Sequence, residues 1–263
     1  MDSMRWIYLS PHLDDAALSA GGLIYEQTQS GIPVEIWTFM CGDPHLTEYS
    51  PFAQLLHAQW GFADAEETVY KRRIEDTTAA NILGAKVLHF DFLDCIYRRD
   101  ANGDWLYPEG VFGTISPEDA DLPAQIAAAI TPRLQPDDPA RFNSPFQRSE
   151  RDDVLVCQLG IGSHVDHVLV RQAAELLGRP LIYDIDMPYF LYKSDEFGDK
   201  AAGMKEYTRR ITETALERWL DAVVEYKSQL PSLNEVVSTP ERARASIRAY
   251  WEKWGGVRLL QLH

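Results

Sequence analysis

The chain alternates short apolar runs with stretches of helical period. Residues 5–9, 34–39, 86–90, 153–159 and 181–184 are compact runs rich in β-branched and aromatic side chains, and they predict strands. Between them, residues 15–30, 70–83, 122–134 and 165–177 repeat apolar positions every three to four residues and predict helices. Their ends carry stop signals: Gly31-Ile32-Pro33, Gly84 and Gly178 close three of them, and Pro132 weakens the end of the fourth. Strands that alternate with helices imply βαβ units, and right-handed crossovers then stack them as a three-layer α/β/α sandwich around a mainly parallel sheet.

Two regions break the rhythm. Residues 98–151 are rich in Pro, Asp and Gly and read as a long surface excursion carrying one helix. Beyond 184 the pattern turns mainly helical, with helices expected over 215–228 and 240–254 on the periphery. The tail 257–262, with Trp251 and Trp254, is expected either to cover the core or to form a subunit contact in a homo-oligomer. Residues 41–61 yield no prediction.

At 263 residues the chain suits one domain, 1–263, and its 45% apolar content is enough for a real core. Forty acidic against 25 basic residues give a formal charge of −15, which repels phosphate backbones and anionic headgroups. Nucleic acid and membrane are therefore not expected partners. No apolar run reaches the roughly 18 residues of a membrane span, and the first residues lack the zones of a secretion signal. Cys41, Cys95 and Cys157 lie far apart with no CxxC pair, as expected of free thiols in the cytoplasm.

The candidate chemistry sits at strand ends. SPHLDD, residues 10–15, follows the first strand, and GIGSHVDH, residues 160–167, follows the fourth. In open parallel sheets, sites form beyond the carboxyl ends of strands. Two buried carboxylates there need a partner, either as helix caps or around a cation. His12 and Asp15 are three apart, as are His164 and His167, so each pair can face one way at the start of a helix. Three N/O ligands suit catalytic zinc or another divalent ion. Adjacent Asp14 and Asp15 point apart, so one can bind while the other takes a proton from water acidified by the metal. Gly21-Gly22 does not match a dinucleotide loop and reads as close helix packing.

At these residues the sequence resembles the PIG-L/LmbE-like zinc de-N-acetylases. SPHLDDAALSAGG is similar to the family's (A/S)PHxDDxxLxxGG signature and HVDH to its HxDH signature. YKRRIEDTTAANILGAK, YDIDMPY and EYKSQLPSL are similar to further segments in the same order. YSPFAQLLHAQWG and FLDCIYRR resemble the branch that deacetylates glycopeptide-antibiotic pseudoaglycones. The resemblance implies a Rossmann-like sheet and hydrolysis of an N-acetyl amide on an N-acetylglucosamine-type small molecule. It implies His12, Asp15 and His167 as zinc ligands and Asp14 as general base. It implies that His164 stabilises the oxyanion or protonates the amine, and that Asp166 orients a histidine from behind. It also implies Arg73 and Asp94 as sugar contacts. Leu13 and Val165 stand where the family commonly has proline. Trp37, Trp60, Trp105 and Tyr107 are candidates to stack on a sugar face. The competing readings are an amidase for another N-acyl or thiol conjugate, and a non-catalytic metal- or sugar-binding module.

Overall fold

A computed structural model describes residues 4–134 and 153–262. The far end of the expected excursion, from 135 to 151, lies outside the described residues. Five parallel strands form the heart of the sheet: β1 (Arg5–Ser10), β2 (Val34–Met40), β3 (Lys86–Phe92), β4 (Asp153–Gln158) and β5 (Leu181–Asp184). Two more, β6 (Met204–Arg210) and β7 (Gly256–Leu262), extend it antiparallel in the order β3-β2-β1-β4-β5-β7-β6.

Nine α-helices surround the sheet among the described residues. They are α1 (Asp15–Gln29), α2 (Pro51–Trp60), α3 (Ala65–Leu83), α4 (Leu122–Ile130) and α5 (Val165–Leu176), two single turns, α6 (Tyr189–Tyr192) and α7 (Phe197–Lys200), then α8 (Glu213–Val223) and α9 (Pro240–Trp254). The period of two in β1 sets the layers. Trp6 and Tyr8 face a core shared with α1, α3, α8 and α9, whereas Ile7 and Leu9 face a second core shared with α4 and α5. The expected three-layer α/β/α sandwich is the observed one.

Three differences are instructive. Helix α3 starts at Ala65, five residues before the apolar period, because Asp64 caps it and Glu67 in its first turn reaches back to the preceding backbone. Asp64 accepts the Glu67 N–H at 2.8 Å, and Glu67 accepts the Ala63 N–H at 3.0 Å. Helix α2 closes the stretch left open by the sequence; Ser50 caps it and Gly61 ends it in the left-handed region. Beyond 184 the expected helices are present as α8 and α9, but β6 and β7 are two strands that the mainly helical reading did not include. As an edge strand with a mostly exposed burial pattern, β6 carries Lys205, Glu206, Arg209 and Arg210, so it has no apolar alternation to read. Strand β7 absorbs the apolar tail into the sheet, with Val257, Leu259 and Leu260 buried.

Packing anchors the N-terminal end of α1. A Cβ on Gly21 would stand 2.5 Å from the Trp219 ring, and one on Gly22 would stand 2.4 Å from Ile211 Cδ1. The glycines thus let α8 lie directly on α1, and Trp219 Nε1 donates to the Ala17 carbonyl at 2.7 Å.

Candidate metal centre

Strand β1 is central: it pairs with β2 on one side and with β4 on the other, with Leu9 opposite Cys157. The chain leaves this centre in opposite directions, so the loops after β1 and β4 emerge side by side at a topological switch point. SPHLDD and GIGSHVDH are those loops. The rings of His12, His164 and His167 lie with centroids 4.7–5.4 Å apart, all buried.

Local hydrogen bonds aim each group. The Ser10 hydroxyl accepts the Ala16 N–H at 3.1 Å and so serves the start of α1. Asp14, at the N-cap position, makes no capping bond. The helix-cap reading of Asp14 therefore fails, and its carboxylate faces the cavity. Asp15 turns back: its Oδ2 accepts the His12 N–H at 2.7 Å and stands 3.4 Å from both His12 Nδ1 and His167 Nε2.

Each of these two rings has a carboxylate behind it. His12 Nε2 lies 3.0 Å from Asp166 Oδ2, and His167 Nδ1 lies 3.2 Å from Asp186 Oδ1. A carboxylate accepts at those nitrogens, which leaves His12 Nδ1 and His167 Nε2 to face Asp15. His167 Nε2 is buried without a hydrogen-bond partner. An orphaned imidazole nitrogen, a second imidazole and a carboxylate oxygen that converge in this way could hold a divalent cation, whose catalytic sites take such donors. The three histidines form one potential ligand cluster; two others combine His12, Asp94 and Asp166, and Cys95, His164 and Asp166.

Electrostatics separates the two aspartates. Burial, then the charge of Asp15, pushes Asp14 up to about 7 in the metal-free protein. Burial opposes the charge of Asp15 as well, but His167 and His12 hold it down to about 2. His164 is pushed well below its ordinary range by burial and by the His12 and His167 rings. Its Nδ1 accepts the Asp166 N–H at 3.2 Å at the start of α5, so the neutral ring carries its proton on Nε2.

The cavity over these groups holds about 440 Å³. Asp94 lines it, with Oδ2 3.8 Å from His12 Nε2. Arg73 does not line it: its guanidinium is spent on the carbonyls of Cys41 and Phe90 and on the Asp91 carboxylate. Its neighbour Arg72 does, 3.9 Å from Asp94 and over the Trp60 ring. One residue along a helix is a turn of about 100°, enough to exchange a core-facing arginine for an outward one. Of the stacking candidates, Trp60 lines the cavity. Trp37 is in the core, Trp105 lies under Arg99, and Tyr107 is bonded to Asp119. The sequence reading missed Asp186. Its signal was present, since YDID puts two acids at the end of a buried strand, as SPHLDD does.

The family model of GlcNAc-PI de-N-acetylase, PIG-L, matches residues 7–177, which span both loops. The chain belongs to this family. It is thus an enzyme that acts on an N-acetyl amide. It is 26% identical over 249 residues to 2'-N-acetylparomamine deacetylase of Niallia circulans, covering 88% of this chain and 83% of that protein. Among solved structures it is similar to the zinc-inhibited form of teicoplanin deacetylase Orf2, with 28% identity, a TM-score of 0.78, and 98% and 97% of the two chains covered. The A40926 pseudoaglycone deacetylase Dbv21 is similar at 28% identity and a TM-score of 0.73, covering 99% and 97%. Among the described residues no helix is long and apolar enough to cross a membrane. All three cysteines are free and buried.

Proposed function

We propose that this protein is a metal-dependent de-N-acetylase of an N-acetylglucosamine-type sugar conjugate, working in the cytoplasm. The observation that carries the reading is the convergence of His12 Nδ1, Asp15 Oδ2 and the orphaned His167 Nε2 beside an Asp14 that caps nothing. These three residues would hold zinc or another divalent ion. When bound, the ion polarises the amide carbonyl and acidifies the attacking water.

The remaining chemistry belongs to the chain. Asp14 takes the proton of the attacking water and passes it to the departing amine. His164 donates from Nε2 to the oxygen on which charge develops. Asp166 and Asp186 keep the two ligand rings turned. Arg72 and Asp94 meet the sugar hydroxyls, and Trp60 shields one wall of the cavity. Free buried thiols support a reducing compartment.

The test is acetate release from a panel of N-acetylglucosamine conjugates by protein loaded with metal, by protein stripped of it, and by the Asp14→Asn variant. Release is expected only from the loaded wild type. Full metal occupancy with no turnover of any N-acetyl sugar would reject the sugar reading in favour of another N-acyl substrate.

A further inference from the structure

Behind the ligands, a second tier of charge joins the centre to the excursion after residue 98. Asp166 is fully buried, and only one of its oxygens, Oδ2, faces His12 and the Cys95 N–H, each at 3.0 Å. Its other oxygen, Oδ1, forms an ion pair with Arg98 Nη2 at 2.7 Å, close but outside hydrogen-bond alignment. Arg98 is in turn held on every side. Its Nε donates to Asp119 Oδ2 at 3.0 Å and its Nη1 to the Leu93 carbonyl at 2.9 Å. Its guanidinium lies 5.3 Å from the Tyr107 ring centroid, and the Tyr107 hydroxyl donates to the same Asp119 oxygen at 2.7 Å. Arg98 and Asp119 are both more than nine-tenths buried.

We propose that Arg98, clamped by Asp119, is a positioning residue for the metal centre: it fixes the carboxylate plane of Asp166 and thereby the direction of His12 Nδ1. This rests on the metal reading above. The physical reason is rotational. A carboxylate held at one oxygen only can swing about its Cβ–Cγ bond, and His12 then loses the acceptor that aims it. Arg98 pins the second oxygen, and Asp119 keeps the planar guanidinium from turning away. Arginine suits this task because its fixed fork serves two carboxylates at once, which a lysine ammonium on a flexible stem does not. Asp119 thus reaches the ion through three other side chains, from a segment whose composition read as a surface excursion.

The experiment measures zinc dissociation constants of the whole protein by chelator competition, for wild type, Arg98→Gln, Asp119→Asn and the double variant. Removing such outer partners commonly weakens metal binding by about 10–100-fold. Arg98→Gln is expected in that range and Asp119→Asn at about tenfold. Asp119 acts through Arg98, so the double variant should be no weaker than Arg98→Gln alone. A merely structural role would lower the unfolding midpoint of zinc-free protein and leave the zinc constant of the folded protein unchanged. Should Arg98→Gln not fold, Asp119→Asn, which keeps the side-chain shape, carries the test. Wild-type zinc constants in the folded variants, or losses that add in the double variant, overturn the proposal alone. A folded wild type that binds no divalent ion overturns the metal reading and this proposal with it.

Discussion

The Asp14→Asn substitution separates a catalytic carboxylate from a structural one. In the metal-free protein Asp14 is pushed from 3.8 up to about 7, first by burial and then by Asp15. A carboxyl raised in the fold is charged more readily when unfolded, so it costs stability as pH rises from its unfolded value through its folded one. At ~1.4 kcal/mol per tenfold in acidity, the cost of keeping Asp14 is roughly 1 kcal/mol at pH 4.5 and roughly 4 kcal/mol at pH 8. Asparagine has the same shape and no charge. Urea unfolding of chelator-stripped protein should therefore find Asp14→Asn more stable than wild type, with the gain growing over that interval. The same variant loaded with metal should lose about 10²–10⁴ in kcat, the usual contribution of a general base. A variant less stable than wild type at pH 8, or a gain that does not change with pH, would show that Asp14 is paired in the fold and is no free base. Retained turnover would refute its role in the reaction.

Four further outcomes follow from the geometry. His167→Ala should abolish tight metal binding, while His164→Ala should keep the metal and lose about 10²–10³ in kcat; equal metal loss in both, by elemental analysis, would undo the division of roles. Asp186→Asn should weaken zinc by about 10–100-fold in a chelator titration, because Asp186 stands behind the orphaned ligand His167. Arg72→Ala should raise KM for the sugar, whereas Arg73→Ala should leave KM alone and lower the unfolding midpoint, since Arg73 ties α3 to the carbonyls of Cys41 and Phe90. Gly21→Ala should cost about 1–3 kcal/mol in urea unfolding, the usual penalty of overpacking, as its methyl would meet the Trp219 ring at 2.5 Å.

The parallel part of the sheet was legible because its strands are short runs rich in β-branched and aromatic residues, separated by helical periods and turn residues. Strand β6 was not, because an edge strand with charged side chains on both faces has no period to detect. The donor loops were legible for a related reason: acids and imidazoles at the end of a buried strand have few explanations. What could not be read was direction. Whether Asp14 or Ser10 serves the start of α1, and whether Arg72 or Arg73 enters the cavity, depends on rotations about the helix axis that residue types do not encode. The roles of Asp119 and Arg98 were hidden for the opposite reason, since their partners lie in separate segments of the chain.

The proposed donors to the ion come from the ends of β1 and β4, paired strands in the interior of the sheet. The other walls of the cavity, which would meet the rest of a substrate, come from elsewhere: Phe52, Leu56 and Trp60 of α2, Phe112 of the excursion, and Leu233 and Asn234 after α8. On the proposed reading, reactivity and recognition are carried by different stretches of polypeptide, one at the sheet and one peripheral. Exchanging the outer stretches between relatives should redirect which amide is cut while the cutting machinery stays as it is.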